Sequence, residues 1–414
     1  MTLRHFLRST LVPVAMLFCL CTASASPAAE YTSSNPLILK MQTMFMPAHA
    51  VIKYGLAPWA EEIKTKSGGR LIVEIYNPNT ICPEGDIYDA VRDGILDIGV
   101  QATQRVKGIF PLSNVIDLPF MFPGAEIAAR TFNELAAEFP ELKAEYEGTE
   151  VLTFWDGCPY QLHTKDKPIN TVADLKGRKI GGVSTATAVP FIESLGASAL
   201  NVPLADLYVS MQRGQIDTVL APFPTLVSAK IYEATNYSSI INALSGGVYM
   251  VMNKDVLSAM PEDLRKILLD SAGPELGRKV AAGIDRCSNE DLAIALEAGQ
   301  KLNEIPKSEI QAAFASTQHI VEDWISDCEK QKGQGEVARA IYTGWTTASG
   351  YNIITTARRG NTRLIAVLLG APSAKVRARE IDRLMNGGFA LRNGKASTVA
   401  SYLGVKQNSS YASR

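Results

Sequence analysis

The sequence predicts an α/β protein whose two lobes enclose a cleft. Apolar runs of strand length alternate with segments of helical spacing from Leu37 to Val100, and the alternation begins afresh at Asp174. Long helical patterns then extend from Pro261 to about Asn303 and from Ser308 to Cys328. Strands that alternate with short helices are typical of a mostly parallel sheet. We therefore predict two such lobes, with the chain crossing between them more than once.

The first lobe is predicted to contain four strands separated by helices. Apolar residues at helical spacing follow the first strand, and Gly68-Gly69 ends that helix. In order, the predicted elements are a strand at Leu37–Met44, a helix through Ile52, Leu56, Trp59 and Ile63, a strand at Leu71–Ile75, a helix at Asp86–Asp93, and strands at Asp97–Val100 and Val151–Trp155.

The second lobe is predicted to begin at Asp174, where a turn precedes a strand ending near Ile180. A helix near Thr185–Leu195, a helix at Leu204–Arg213 and a strand at Ile216–Leu220 follow. Ligands of such sheets bind beyond the carboxyl ends of the strands, often between lobes. Five loops follow predicted strands and are candidates to line the cleft: Phe45–His49, Gln101–Arg105, Trp155–Tyr160, Gly181–Thr185 and Ala221–Thr225.

Charge is unevenly divided along the chain. The 414 residues carry 41 basic and 42 acidic side chains, but residues 30–342 have a net charge of −12 and residues 343–414 one of +9. The near-neutral total argues against a nucleic-acid-binding protein, since such proteins usually carry a basic excess. The contrast between body and tail indicates two segments of different origin.

The first residues have the order of a secretory signal. Arg4 and Arg8 precede an apolar run from Leu11 to Cys21, and small residues follow at Ala23-Ser24-Ala25. This order predicts cleavage after Ala25 and an exported protein. The alternative is a buried N-terminal helix; the run is too short for a permanent membrane span.

Export would leave four cysteines and three histidines. The cysteines (Cys82, Cys158, Cys287 and Cys328) are widely spaced, so disulfides and lone buried thiols both stay open. His49, His163 and His319 stand apart, and no CxxC motif occurs. We therefore expect no metal site and no cofactor.

Several ordered motifs resemble the extracytoplasmic solute-binding proteins of TRAP transporters over about residues 36–342. The first group is Val91-Arg-Asp-Gly94 with Asp97-Ile98, Gly108-Ile-Phe-Pro-Leu112 and Asp117-Leu-Pro-Phe120. The second is Asp174-Leu-Lys-Gly-Arg-Lys-Ile180, Leu195-Gly-Ala197, Val202-Pro203, Leu207-Tyr208 and Gln212-Arg-Gly214 with Asp217. Trp324 and Glu329-Lys330 resemble the ending of that family.

The resemblance implies a two-lobed fold like that of periplasmic binding proteins of class II type, with a long helix that spans both lobes. Residues 1–25 are then a signal peptide, 36–155 with 250–342 form lobe I and the long helices, 156–249 form lobe II, and 343–414 form a basic appendage. The implied function is periplasmic and non-enzymatic. The protein would capture a small organic acid by hinge closure and deliver it to the permease subunits of a TRAP transporter.

The sequence departs from the family pattern at Gly181. Many members carry Arg there, and that Arg grips the ligand carboxylate; glycine offers no guanidinium. The backbone N–H groups that follow, with the hydroxyl of Ser184 or Thr185, either hold an anion or only cap a helix. The apolar Ala221 and Phe223 favour a less polar or aromatic-bearing ligand, so a neutral or zwitterionic solute is the alternative to an acid.

The other candidate ligand contacts each have a structural alternative. Arg105 offers a cation, or is solvated surface charge; Gln101 and Thr103 offer neutral hydrogen bonds. Trp155 is a candidate wall of the cleft or a core residue. The remaining candidates, drawn from the cleft loops and the nearby helix, are Phe45, His49, Tyr160 and Tyr208.

The tail over about residues 343–392 resembles the end of a serine D-alanyl-D-alanine carboxypeptidase domain. The resemblance rests on Thr343-Gly-Trp-Thr346, Ser349–Ile353, Arg363–Gly370 and Pro372-Ser373. The alternation of Asn352–Ala357 and the apolar run Leu364–Leu369 predict a β-hairpin. Tyr342 replaces the lysine of the Lys-Thr-Gly motif, and no lysine has serine three residues before it, so a peptidase is the least favoured function.

Overall fold

The computed structural model describes residues 31–106, 108–122, 124–182, 187–203 and 206–348, the strands 353–359 and 362–368, and residues 383, 386, 389 and 390. The predicted signal peptide lies outside these residues. None of the helices in the described part of the chain is long and apolar enough to cross a bilayer.

Strands and helices alternate through most of the described chain. In chain order the strands are β1 Leu37–Thr43, β2 Leu71–Tyr76, β3 Ile98–Ala102, β4 Thr149–Asp156, β5 Gln161–Thr164, β6 Lys179–Gly181, β7 Ser198–Ala199, β8 Thr218–Ala221, β9 Tyr237–Ile240, β10 Gly247–Asn253, β11 Lys301–Glu304, β12 Ile353–Arg359 and β13 Thr362–Leu368. The α-helices are α1 Ala57–Lys66, α2 Ile87–Arg92, α3 Ala125–Glu138, α4 Pro140–Ala144, α5 Ala188–Ser194, α6 Leu207–Gln212, α7 Phe223–Ser228, α8 Lys254–Ala259, α9 Glu262–Ser271, α10 Pro274–Glu297, α11 Lys307–Ser316, α12 Gln318–Lys332 and α13 Gly335–Ala348.

Two mixed sheets form the two lobes. The first has the strand order β2-β1-β3-β10-β4, and the second has the order β11-β9-β5-β8-β6-β7. Strand β10 runs antiparallel to both of its neighbours in the first sheet, and β5 does so in the second. The prediction of mostly parallel sheets therefore missed one reversed strand in each sheet.

The reversed strands are those through which the chain enters from the other sheet. Gly247, the first residue of β10, pairs with Asp156, the last residue of β4. In the second sheet Gln161, the first residue of β5, pairs with Ala221, the last of β8. A chain that passes directly between two carboxyl-terminal sheet edges must enter each sheet against the direction of the strands beside it.

The two crossings lie side by side and form a hinge. The Gly157 N–H donates to the Gly246 carbonyl at 3.0 Å, and the Tyr160 N–H donates to the Leu244 carbonyl at 2.8 Å. A methyl group added at Gly247 would collide with the Ile116 side chain, so glycine is required where the returning chain enters β10. Two short, hydrogen-bonded segments are a connection that can bend while the lobes stay rigid.

The long helix α10 packs against both lobes. Its Val280 and Ile284 belong to the core under the first sheet, while Ala295 belongs to the core around α7 in the second lobe. The predicted uninterrupted helix from Pro261 to Asn303 is wrong, because Gly273 has a φ of +79° between α9 and α10. A φ of this sign does not continue a right-handed helix.

The chain after α10 returns to the second sheet. Strand β11 pairs in parallel with β9, whereas the sequence-based division assigned 250–342 to lobe I and the long helices without a strand of the second sheet. The same division began the appendage at residue 343, which lies inside α13. Trp324 of α12 then donates from Nε1 to the Pro111 carbonyl at 2.7 Å and so contacts the first lobe again.

The predicted hairpin of the tail is present. Strands β12 and β13 pair antiparallel, with Arg359 opposite Thr362, and they form a sheet of their own. Residues 360 and 361 lie outside the described residues. The resemblance of this tail to a carboxypeptidase stays a prediction.

Candidate functional site

The predicted cleft loops lie at the carboxyl-terminal edges of the two sheets, where the hinge joins them. Loops that follow β1, β3 and β4 belong to the first sheet, and loops that follow β6 and β8 belong to the second. The terminal pairs Asp156–Gly247 and Ala221–Gln161 place both edges beside the hinge. This placement makes the space between the edges the candidate ligand site.

Phe45 and His49 form an aromatic pair on the loop after β1. Their ring centroids lie 4.5 Å apart with an interplanar angle of 27°, and both side chains are half-buried. His49 Nδ1 accepts a hydrogen bond from the Val51 N–H at 3.2 Å, so the neutral ring carries its proton on Nε2. Burial lowers the pKa of His49 to about 4, which keeps the ring neutral. The pair offers an aromatic face and a neutral N–H donor.

A π-helical turn follows this aromatic pair. Residues Val51–Leu56 form the turn and lead without a break into α1. Gly55 allows the turn to approach α10, because a Cβ there would lie 2.7 Å from Val280 Cγ2. Such single-turn insertions are often found beside functional sites.

Trp155 is a residue of the hydrophobic core. Its side chain is fully buried in the core of the first sheet, together with Cys158 and Val248. The indole Nε1 is buried without a hydrogen-bond partner among the described residues. The contacts therefore favour the packing alternative over the predicted role as a cleft wall.

Gln101 and Thr103 are committed to internal hydrogen bonds. Gln101 donates from Nε2 to the Glu84 carbonyl at 2.5 Å, and its Oε1 accepts from the Tyr249 hydroxyl. Thr103 donates to the Gly247 carbonyl at 3.4 Å. Both side chains are fully buried, which favours a structural role over ligand contact.

Arg105 is exposed and lies at the rim. Its Nε is 3.5 Å from Glu84 Oε1, which is a surface ion pair of small energetic value. A side chain held this weakly is free to reorient. The role of Arg105 in ligand binding stays a prediction.

Gly181 is closed against a side chain. A Cβ there would lie 2.7 Å from Ile216 Cδ1 and 3.2 Å from Leu207 Cδ2, so two apolar residues fill the direction in which an arginine would begin. Gly182 has a φ of +88°, and its Cβ would lie 2.5 Å from the Leu220 carbonyl oxygen. The end of β6 therefore presents backbone instead of side chains. The candidates Ser184 and Thr185 lie outside the described residues.

A buried histidine orients the cleft end of β8. His163 of β5 hydrogen-bonds through Nε2 to the Ala221 carbonyl at 3.0 Å and through Nδ1 to the Ser238 hydroxyl at 2.9 Å. Because the carbonyl only accepts, the ring proton is on Nε2. Burial lowers the pKa of His163 to about 4. No pattern in the sequence predicted this role, since β5 was not predicted.

Phe223 lies against this histidine and begins α7. The two ring centroids are 5.8 Å apart, and the phenyl ring is 6% exposed. Ala221 is buried, so it contributes little more than its carbonyl and methyl group to the wall. The second lobe thus has an apolar edge behind the cleft, and the contact of Ala221 and Phe223 with a ligand stays a prediction.

The two candidate tyrosines occupy different places. Tyr160 lies in the outgoing hinge segment, where its N–H donates to Leu244, and its half-buried ring packs against the main core. Tyr208 lies on α6, packs against the core of the second lobe and accepts a hydrogen bond from Gln212 Nε2 at 2.6 Å. The structure therefore brings Tyr160, but not Tyr208, to the hinge.

Two buried carboxyl groups at the hinge were not predicted. Asp156 accepts from the Gly157 N–H at 2.6 Å and from the Ser245 hydroxyl at 2.5 Å. Asp117 accepts from the Gly247 N–H at 3.1 Å. Burial raises the pKa of Asp156 to about 7 and the pKa of Asp117 well above its usual value. Aspartate carries no local sign of such burial, although Asp117 belongs to one of the family motifs.

Cys82, Cys158, Cys287 and Cys328 are free thiols; Cys158 and Cys328 are buried, as one of the two alternatives has it, whereas Cys82 and Cys287 are half-buried. Burial raises the pKa of Cys158 and Cys287, so neither is an activated nucleophile. Among the described residues, no three His, Cys, Asp or Glu side chains are grouped to hold a metal ion.

The chain is similar to known solute-binding proteins. Residues 43–327 match the model of the family described as "Bacterial extracellular solute-binding protein, family 7" (DctP). The 2,3-diketo-L-gulonate-binding periplasmic protein YiaO of Escherichia coli is 23% identical over 210 residues, which are 51% of this chain and 64% of that protein. The match thus spans less than two thirds of that relative.

Solved structures are similar over about three quarters of the chain. A TRAP solute-binding protein from Rhodoferax ferrireducens, in complex with copurified benzoate, is 27% identical with a TM-score of 0.66 and covers 76% of this chain and 99% of its own. One from Chromohalobacter salexigens with bound D-glucuronate is 23% identical with a TM-score of 0.62 and covers 73% and 99%. These likenesses confirm the two-lobed fold predicted from the sequence.

Proposed function

The chain belongs to the family 7 extracellular solute-binding proteins of TRAP transporters, and on this premise we propose that it captures a small organic acid between its two lobes. Family members are extracytoplasmic, so the proposed compartment is the periplasm. The proposed partners are the membrane permease subunits that receive the acid. The proposed role includes no catalytic step.

The hinge is the observation that carries this proposal. Two adjacent crossings, joined by the Gly157–Gly246 and Tyr160–Leu244 hydrogen bonds, connect sheets whose carboxyl-terminal edges lie beside them. Helix α10 contacts both lobes, which supports a movement of the two lobes about the hinge. Closure of two rigid lobes removes a bound solute from water and strengthens its hydrogen bonds and ion pairs.

We propose further that the acid carries an aromatic or similarly apolar group. The half-buried Phe45–His49 pair supplies a face for such a group, and Phe223 backs the apolar edge of the second lobe. Gly181 supplies no cation and is closed by Ile216 and Leu207, which removes the usual basis for binding a densely charged acid. The relative that carries benzoate, at 27% identity, supports this choice.

A thermal-shift screen over organic acids, amino acids and sugars tests the proposal. We expect benzoate and related aromatic monocarboxylates to raise the melting temperature more than sugar acids, because a ligand that binds only the folded state stabilises it. Neutral solutes and amino acids are the controls. A shift with neutral sugars or amino acids and none with any acid would contradict the proposal and revive the neutral-solute alternative.

Phe45→Ala separates the aromatic face from the rest of the site. The side chain is only partly buried, so the variant is expected to fold. Loss of the face should weaken binding of the best acid by roughly fivefold, since one aromatic contact is worth about 1 kcal/mol. Tyr208→Ala is the matched control, because Tyr208 packs against the core of the second lobe, accepts from Gln212 and does not lie at the hinge. This variant should bind normally by isothermal titration calorimetry.

A further inference from the structure

We propose that Asp117 and Asp156 form a proton-sensitive clamp on the returning hinge segment, and that the pair takes up a proton as the lobes close. The proposal deepens the function proposed above and rests on it in one respect, the movement of the lobes about the hinge. It assigns the two carboxyl groups to the closure equilibrium and not to contact with the solute.

Asp156 holds the outgoing and the returning crossings together. It is the last residue of β4, and Oδ1 accepts from the N–H of Gly157, the first residue of the outgoing crossing. Oδ2 accepts from the hydroxyl of Ser245 in the returning crossing. The side chain is fully buried, so a change in hinge angle necessarily alters its surroundings.

Asp117 joins the hinge to the second lobe. Its Oδ1 accepts from the Gly247 N–H, at the point where the returning crossing enters β10. Its main-chain carbonyl accepts from the hydroxyl of Thr187, directly before α5 of the second lobe, at 2.7 Å. Movement of the second lobe away from the first would break this bond and expose Asp117, which is 1% exposed in this structure.

The charges around the pair make ionisation costly in the observed state. The Asp156 charge raises the pKa of Asp117, and the charge of Asp285 on α10 raises the pKa of Asp156. The Cys158 thiol also faces Asp156 and carries no positive charge in either form. Burial is the largest cause of the raised pKa in both carboxyl groups.

Closure and protonation are therefore linked. Ionised carboxylates are favoured when opening admits water, and the protonated form is favoured when closure buries the pair. By linkage, a lower pH increases the closed population, and a higher pH increases the open population. A change in pH would then alter solute retention without any contact between the clamp and the solute.

Small-angle X-ray scattering of the full chain without added solute tests the clamp. We expect the radius of gyration to increase between about pH 5 and about pH 9, as the pair ionises and the lobes open. The double substitution D117N/D156N should remove this transition. Glu145→Gln is the matched control, because Glu145 is another buried carboxyl group of the first lobe with a pKa raised to about 7, bound to Leu112 and Ser113.

Two single substitutions should move the transition in opposite directions. D156N removes the charge that raises the pKa of Asp117, so the midpoint of the Asp117 ionisation should fall. S245A removes a hydrogen bond that stabilises the ionised Asp156, so its midpoint should rise by about one pH unit. If the double variant does not fold by circular dichroism, these two shifts decide the question.

A radius of gyration that is constant with pH, a transition that persists in the double variant, or an S245A midpoint equal to that of the wild type would overturn the clamp. Loss of the transition in Glu145→Gln would equally overturn it, by placing the effect outside the hinge. Since no solute is present, these outcomes do not depend on the ligand screen. A failed screen likewise leaves the scattering result unchanged.

Discussion

Single residues without side chains determine how closely the lobes and the long helix approach. Gly277 lies on α10, where a Cβ would overlap the Phe154 carbonyl oxygen and lie 2.6 Å from Thr153 Oγ1. At Gly181, the side chains of Ile216 and Leu207 fill the space that a Cβ would enter. Each glycine therefore fixes a contact that a larger residue would have to displace.

Gly277→Ala should lower the free energy of unfolding by about 1–3 kcal/mol, because the added methyl group forces α10 away from β4. The matched control is Gly85→Ala, since nothing lies within 4 Å of a Cβ at that position. Urea denaturation of both variants is the measurement. Equal stability of the two would show that α10 adjusts without cost and would contradict the packing argument.

Elements are positioned by side chains that reach between them. Asp285 of α10 accepts hydrogen bonds from the N–H groups of Ala125 and Glu126, each at 3.0 Å. These are the first two residues of α3, and Gly124 before them provides no capping side chain. A carboxylate of one helix thus caps another and complements the positive end of its dipole.

Asp285→Ala should destabilise the protein by about 1–2 kcal/mol, since two N–H groups at the start of α3 lose their acceptor. Asp285→Asn should recover part of this loss, because the amide oxygen still accepts. Asp323→Ala, an exposed acid on α12, is the control. Thermal melting that is the same for Asp285→Ala and Asp323→Ala would refute the cap.

The whole molecule combines buried acids and buried histidines whose effects on stability have opposite signs. Burial raises the pKa of Glu145 from 4.5 to about 7, so its stabilising contribution is full below about pH 4.5 and is lost as the pH rises to 7. His49 and His163 have pKa values lowered to about 4, so their contribution is full above about pH 6.5 and is lost as the pH falls to 4. At mildly acidic pH, the stability that Glu145 loses as the pH rises is therefore opposed by the stability that the two histidines gain.

Glu145→Gln should flatten the loss of stability between about pH 5 and about pH 7.5, because the amide does not ionise. The loss that Glu145 contributes in the wild type is on the order of 3 kcal/mol. Glu147→Gln, two residues along the chain and exposed, is the control and should follow the wild type. Denaturation at both pH values measures the slope, and parallel curves for Glu145→Gln and wild type would contradict the assignment.

The sequence by itself determined the local elements and the family. Apolar runs of strand length predicted β1 and β2, and alternation followed by an apolar run predicted the tail hairpin. Ordered motifs from Val91 to Glu329 predicted the two-lobed fold. Periodicity and motifs are local properties, so they can be recognised without knowledge of the tertiary structure. The loop Phe45–His49 was a candidate for the same reason, since it follows a strand.

Only the tertiary structure decided which distant segments meet. It placed β11 beside β9, reversed β5 and β10, and buried Asp117 and Asp156 at the hinge. It also showed that Trp155 packs in the core, where the sequence left two alternatives. Strand pairing and the burial of a charge depend on residues far apart in the chain, because the free energy of both is set by the neighbours that folding supplies.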